Sequence, residues 1–302
     1  MLNCTLSYIV VTRNRLNYLQ ITLTKLIDNI GTDEEIIVVN GNSNDGTTEY
    51  LNHLYQRNKI HQLVNEPDQN QAHGWNKALL LSKGEIIKKI MDDDVFDYPS
   101  IQLCKNWMLN HPQIDICISN SLQADVLAPA NIGQTSRLSY YKQWKNRATK
   151  CFSFSDVYML IRKDSLSLTG LYDTQFEMID WEFSLRCSFL KVNIAYYTGC
   201  ISLTVQTPGN VSSKLAKKTA KHEAQIVKIK YGYPGDSIDI SLWSKFKIFI
   251  GTSLQKLQRH TLFTCQKSEH NLITDTRLIV IYNEFYLHLQ KANQQANHYF
   301  IC

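Results

Sequence analysis

The sequence predicts an α/β fold: a Rossmann-like, mainly parallel sheet with flanking helices, followed by a helical C-terminal extension. Three observations predict it. Short β-branched runs alternate with longer amphipathic stretches through the first 120 residues, as repeated β-α units do, and such units build parallel sheets with helices on both faces. The polar stretches "VVTRNR", "NGNSNDGT" and "MDDDVF" each end one of those runs, which puts them at the carboxyl ends of strands, where open sheets of this kind take their ligands. Past residue 210 the composition changes, with ten Lys or Arg against three acids between 210 and 260.

Each element has its own signal. "LSYIVV" (6–11) reads as a buried strand, and 15–30 as a helix with Leu16, Leu19, Leu23, Leu26 and Ile27 on one face. "EIIVV" (35–39) is a second strand, ended by the turn residues of "NGNSNDGT". Residues 47–57 read as helix, 60–64 as extended, 70–82 as helix, 85–91 as strand, 98–110 as helix and 114–119 as strand. Residues 121–150 are polar and without period, and are expected to form a mobile loop region beside the site. A strand at 152–161, a helix ending near Gly170, a helix over 178–190 and the strand "VNIAYY" follow. In the tail, Leu242, Trp243, Phe246, Phe249, Ile250, Leu254 and Leu257 fall on one helical face.

The totals narrow the class. A chain of 302 residues with 44% hydrophobic and 20% charged residues and a net charge of +5 is an ordinary globular protein of one large domain, or one domain with an appendage. Eight cysteines stand singly, with no C-x-x-C pair, so neither a zinc site nor a disulfide framework is expected and a reducing cytoplasm is the simplest home. "MLNCTLSYIVVTRNR" has no apolar run of signal-peptide length, and no window reaches the ~18 apolar residues of a membrane span.

Chemistry is concentrated at the strand ends. Asp92, Asp93 and Asp94 stand side by side. Adjacent carboxylates resist ionising together, so the triplet points to a divalent cation, a hard ion that takes carboxylate oxygens; a solvated acidic turn is the alternative. Asn40 brings an amide to a strand tip, where it can meet the edge of a nucleobase, while Ser43 or Asn44 suits a helix cap. Asp180, in "IDWEFSLR", suits a helix N-terminus; beside a metal site it becomes a candidate general base.

The ordered set "YIVVTRNR", "EIIVVNGNSNDGTTEYL", "NEPDQNQAHGWNKALLLSKGEII", "MDDDVF" and "GLYDTQFEMIDWEFSLR" resembles the family-2 inverting glycosyltransferases of GT-A fold. The subgroup it is most similar to ends its second strand in a D-G-G-S-x-D-G-T pattern. The resemblance covers about residues 5–212. It implies a catalytic domain over 1–212, with a nucleotide-binding half (1–120) and an acceptor half (121–212), ahead of a basic helical extension (213–302). It also implies transfer of a sugar from a nucleotide-diphospho-sugar, UDP favoured, to a hydroxyl of a saccharide or glycolipid, with Mn²⁺ or Mg²⁺ as cofactor, in surface polysaccharide assembly.

The same resemblance assigns residues. Thr12, Arg13 and Asn14 fall in the loop that lines the nucleotide. Asn40 stands where the family has a base-reading Asp, Asp68 lies in the E-P-D segment, and Asn76 with Lys77 begins the helix facing the nucleotide. Asp93 and Asp94 align with the acidic pair at the diphosphate; Asp92 and Asp94 are the expected metal ligands and Asp93 a donor contact. Asp180 matches the general base, and Arg186 an arginine on the same helix. The sequence departs from the family at Asn40, at Ile179, where an acid normally precedes the base, and at "QTPGNVSS", where Gln206 and Thr207 stand in place of a histidine.

Competing readings are a haloacid-dehalogenase-type phosphatase using Asp92 and Asp94, a nucleotidyltransferase, disfavoured because "TRNRLNYL" has no glycine, and a non-catalytic nucleotide-sugar-binding relative. No nucleic-acid partner is expected. The aromatic and basic tail suits packing on the parent domain or a homodimer, with peripheral contact at the inner membrane face as the alternative.

Overall fold

The computed structural model describes residues 4–208, 217–233, 275–295 and 297–302. The first half follows the expected alternation: β1 (Leu6–Thr12), α1 (Leu16–Asn29), β2 (Glu34–Asn40), α2 (Thr47–Gln56), β3 (Gln62–Asn65), α3 (Gln71–Leu81), β4 (Ile86–Ile90), β5 (Val95–Phe96) and α4 (Tyr98–Leu109). The second half contains β6 (Ile116–Asp125), β7 (Ala128–Thr135), α5 (Leu138–Lys145), a 3-10 turn at Asp156–Tyr158, β8 (Met159–Arg162), α6 (Leu166–Thr169), α7 (Ile179–Phe189) and β9 (Ile194–Gln206). The helices α8 (Lys217–Tyr231) and α9 (Asp275–Gln294) and the short strand β10 (Phe300–Ile301) complete it.

The sheet runs β10-β9-β6-β8-β4-β1-β2-β3, with β5 added to β9 and β7 to β6. Strands β3, β2, β1 and β4 are parallel, and β2 and β4 are buried along their whole length. That is why β2 carries the apolar run "IIVV" and β4 is rich in isoleucine, since helices cover both faces of a parallel sheet. From β1 the chain moves outward to β2 and β3, then returns to β4 on the other side. The strand order therefore reverses between β1 and β4, the place where such sheets open a crevice. Register pairs Thr12 with Asn40 and Val10 with Ile90, so the chain after β4 emerges beside the end of β1.

Beyond β4 the sheet is mixed. β8 enters antiparallel to both β4 and β6, while β6 and β9 run parallel. Residues 121–150 are ordered structure and not the loop region expected from their polarity. β6 runs on to Asp125, turns where the Leu127 amide donates to Asp125 Oδ1 (2.8 Å), and returns as β7. The period is hidden because β7 is a half-exposed edge strand carrying Pro129, whose missing N–H only an edge tolerates. In α5, Tyr141 and Trp144 are buried. The strand expected at 152–161 is confined to its last residues, because Ser155 caps the 3-10 turn before it.

One apolar cluster packs α1, α3 and α4 against the sheet. A second is built around α9, whose Leu278, Ile281, Tyr282, Phe285 and Leu289 form one stripe against Val95, Leu122, Leu203 and Val205. Asn293 fastens the end of this helix: its Nδ2 reaches Asp97 Oδ2, Ser100 Oγ and the Cys200 carbonyl (2.8–3.1 Å), and its Oδ1 accepts from the Cys200 amide. The helical character expected of the tail holds for α8 and α9, whereas the stripe at 242–257 lies outside the described residues. Among the described residues, no helix is long and apolar enough to cross a membrane. Phe285 is fully buried, so Phe285→Ala is expected to cost about 3–5 kcal/mol, read as a lower urea midpoint for the whole chain.

Candidate functional site

A cavity of about 700 Å³ opens at the carboxyl ends of β1 and β4. Of the residues singled out from the sequence, Thr12, Arg13, Asp68, Asp92, Asp93 and Asp180 line it. So do Arg15, Lys89 and Asp156, which sequence reasoning missed.

The acidic turn after β4 is buried, with Asp92 and Asp93 at the cavity and Asp94 turned away from it. Asp92 Oδ2 accepts from Thr12 Oγ1 at 2.7 Å, as the β1–β4 register allows. Asp93 Oδ2 accepts from Arg15 Nη2 and from Thr207 Oγ1 (2.6 Å). Asp94 Oδ1 accepts from the Val205 amide of β9 at 2.7 Å and is not brought to the cavity. Among the described residues, no three His, Cys, Asp or Glu side chains are grouped to hold a metal ion, and the third acid of the turn, Asp94, is bound to β9. The turn of Asp94 toward β9 also takes away the acid that a phosphatase would need beside Asp92. Burial, reinforced by the charge of Asp93, pushes the Asp92 carboxyl up to about 7; Asp94 is raised by the same two causes. From behind, Tyr282 of α9 donates its hydroxyl to the Asp93 carbonyl (2.5 Å), and Thr22 of α1 donates to the Asp92 carbonyl (3.0 Å).

The other residues named from the sequence build the walls. Asn14, at φ 54, ties the β1 loop to the turn after β2: its amide donates to Ser43 Oγ (2.8 Å) and its Oδ1 accepts from the Asn44 amide (2.9 Å). Asn40 is fully buried and turned into that turn. Its Nδ2 donates to Thr48 Oγ1 and Asn65 Oδ1, and its Oδ1 accepts from the Ser43 amide and hydroxyl. All four hydrogen-bonding positions of the amide are engaged, so it offers no free edge to a nucleobase. Asn76 clasps the backbone of Tyr172 in both directions, at 2.9 Å each way. Lys77 bridges Glu66 (2.6 Å) and Asp68 (2.9 Å). Gly74 lets α3 approach closely, since a Cβ there would lie 2.7 Å from both Asp68 Oδ2 and Val11. Arg186 points away from the cavity, paired with Glu182 and bonded to the carbonyls of Thr169 and Leu171.

Asp180 sits half-buried in the first turn of α7. The chain before it is held by Glu223 of α8, whose two carboxylate oxygens accept from the Glu177 (2.8 Å) and Met178 (3.0 Å) amides. Burial raises the Asp180 carboxyl above the ordinary range and the negative charge of Asp156 adds to this, against the Lys89 ammonium, the Ser155 hydroxyl and the Trp181 amide. Asp156 is itself fixed: Oδ2 accepts from Lys89 Nζ at 2.7 Å and from the Tyr172 hydroxyl at 2.6 Å. Lys89 Nζ also lies over the ring of Trp75, 4.2 Å from its centroid. The signal for this pair is the two adjacent lysines, Lys88 and Lys89, inside a buried strand, yet nothing local tells which of them reaches the cavity.

Comparison with known proteins gives the same fold and a family. A 91-residue stretch, 30% of this chain, is 29% identical to the chondroitin synthase of Pasteurella multocida (strain Pm70), and the same holds for a hyaluronan synthase of Pasteurella multocida. That stretch spans only 9% of each synthase. Among solved structures, S. aureus TarS 1-349 in complex with UDP-GlcNAc superposes with a TM-score of 0.60 at 17% identity, over 96% of this chain and 81% of that one. The mannosyltransferase PcManGT from Pyrobaculum calidifontis, in complex with GDP-Man and Mn²⁺, gives 0.53 at 14%, over 93% and 86%. At these identities the likeness is one of fold. The family model of Glycosyl transferase family 2 matches residues 7–169, more than half of the chain: this protein belongs to glycosyl transferase family 2.

Proposed function

We propose that the chain is an inverting transferase that moves a sugar from a nucleotide-diphospho-sugar, UDP favoured, to a hydroxyl of a saccharide or lipid-linked acceptor. One observation carries the reading: paired carboxylates at the end of β4 and a proton-hungry carboxylate at the start of α7 face one cavity. The solved relatives with UDP-GlcNAc or GDP-Man bound support the donor class.

In this reading residues 1–120 hold the nucleotide, 121–212 face the acceptor, and 213–302 form the extension. Thr12, Arg13 and Asp68 contact the donor. Asn14, Asn40, Asn76 and Lys77 shape the walls, and Asn40 does so in place of reading the base. The donor set suits Mg²⁺ or Mn²⁺, ions that take one or two carboxylates and fill the rest of their shell with phosphate and water. Asp92 and Asp93 would hold the ion, with Asp94 anchoring the turn to β9. When bound, the ion supplies a positive charge opposite the leaving diphosphate.

Asp180 takes the proton of the acceptor hydroxyl as that oxygen attacks the anomeric carbon from the face opposite the diphosphate. The new C–O bond forms as the bond to the diphosphate breaks, which inverts the carbon without an enzyme nucleophile. Asp156 and Lys89 are positioning residues: the first raises the proton affinity of Asp180, the second limits that rise. Acting in the cytoplasm, with a lipid-linked acceptor the enzyme would work at the inner membrane face, in polysaccharide assembly.

The reading is tested by a thermal-shift panel of UDP-, GDP- and dTDP-sugars with and without Mn²⁺. A ligand of the folded state raises the midpoint with its occupancy, and the UDP-sugars are expected to do so most in Mn²⁺. No shift with any of them would exclude a donor site. Asp180→Asn is expected to keep the donor shift and lose transfer by about 10²–10⁴-fold; normal turnover would remove Asp180 as the base, and a wild type that binds without transferring would identify a non-catalytic relative. In the pH profile of kcat/KM, activity falls as Asp180 takes up its proton on the acid side. Asp156→Asn deletes a charge that raises the Asp180 carboxyl, so the acid limb is expected to move to lower pH.

A further inference from the structure

Arg15 was not among the residues marked from the sequence, yet it is the cation around which the acidic turn is organised. It stands between β1 and α1, with its guanidinium stacked 4.4 Å from the centroid of Tyr18. Nη2 donates to Asp93 Oδ2 and to Thr207 Oγ1 (2.6 Å), Nη1 donates to the Pro208 carbonyl (3.1 Å), and Nε lies 3.9 Å from Asp92 Oδ1. It touches both carboxylates offered to the cavity while lining the cavity itself. Asp93 is 4% exposed at its side chain and Arg15 16%, so the pair is largely sheltered from screening solvent.

Asp93 Oδ2 already accepts from two donors, Arg15 Nη2 and Thr207 Oγ1, which fills the acceptor capacity of that oxygen. A divalent ion that took this oxygen would displace the guanidinium from it, and the freed guanidinium would stay in the cavity it lines, within reach of an anion brought by the ion. Its planar fork fits phosphate oxygens in pairs, as it fits carboxylates. We propose that Arg15 is the resident counter-ion of Asp93 and exchanges that carboxylate for the donor's diphosphate when a divalent cation binds. The proposal rests on the donor-site reading above and adds a second phosphate-binding cation to it. Thr207, which stands after β9, accepts from Arg15 and donates to Asp93, so the strand end belongs to the same network.

The exchange predicts opposite effects on two ligands measured separately on the full chain. In Arg15→Gln, Mn²⁺ alone, followed by the EPR signal of the free ion, is expected to bind about tenfold tighter, because it no longer competes with a guanidinium. UDP at saturating Mn²⁺, followed by calorimetry, is expected to bind about tenfold weaker or worse. Arg15→Lys keeps a charge without the fork, so its Mn²⁺ affinity is expected near wild type and its UDP affinity between the other two; it remains readable if the glutamine variant does not fold. Both ligands weakening together would make Arg15 a structural strut, and neither changing would leave it a bystander; either result overturns the exchange. A wild type that binds neither Mn²⁺ nor UDP would instead overturn the donor site itself.

Discussion

Three carboxylates in consecutive positions have to be kept from acting as one charge, and the rest of the site depends on how that is done. Each faces a different partner: Asp92 the Thr12 hydroxyl of β1, Asp93 the Arg15 guanidinium, Asp94 the Val205 amide of β9. Burial and the charge of Asp93 keep Asp92 and Asp94 above the ordinary carboxylate range. The partners come from three separate strands or loops, so these contacts exist only in the assembled sheet. The cavity wall is thus a tertiary product of elements far apart in the chain.

The opposite wall repeats this logic with a different balance. Asp180 and Asp156 are two acids that share one cation, Lys89, and Asp156 takes the direct contact. Asp180, without that direct contact, has its carboxyl raised above the ordinary range by burial and by the charge of Asp156. Its place along α7 is set from α8, through the Glu223 carboxylate on the two amides just before the helix. Carboxylates near a helix start are favourable in themselves, so this clamp stabilises the fold and positions Asp180 in one arrangement.

The C-terminal helix α9 belongs to the same architecture. Its apolar stripe covers β5 and the far end of β9, and the Tyr282 hydroxyl reaches the backbone of the acidic turn. A helix near the C-terminal end of the sequence therefore underlies the acidic turn that lines the cavity.

What the sequence determined by itself was what local pattern encodes. Runs such as "EIIVV", the helical period of 15–30 and the turn residues after each strand placed β1 to β4 and α1 to α4 within a residue or two, because burial on both faces and a 3.6-residue stripe are written in neighbouring side chains. The ordered motifs placed the family as well. The tertiary structure decided the direction of each side chain. It turned Asn40 and Asp94 inward, brought Arg15, Thr207, Asp156 and Lys89 to the site, and made a hairpin of residues whose edge position hides their period. The physical reason is that a charged or amide group takes the partner that desolvation forces on it, and for Arg15, Lys89 and Asp94 that partner lies dozens of positions away.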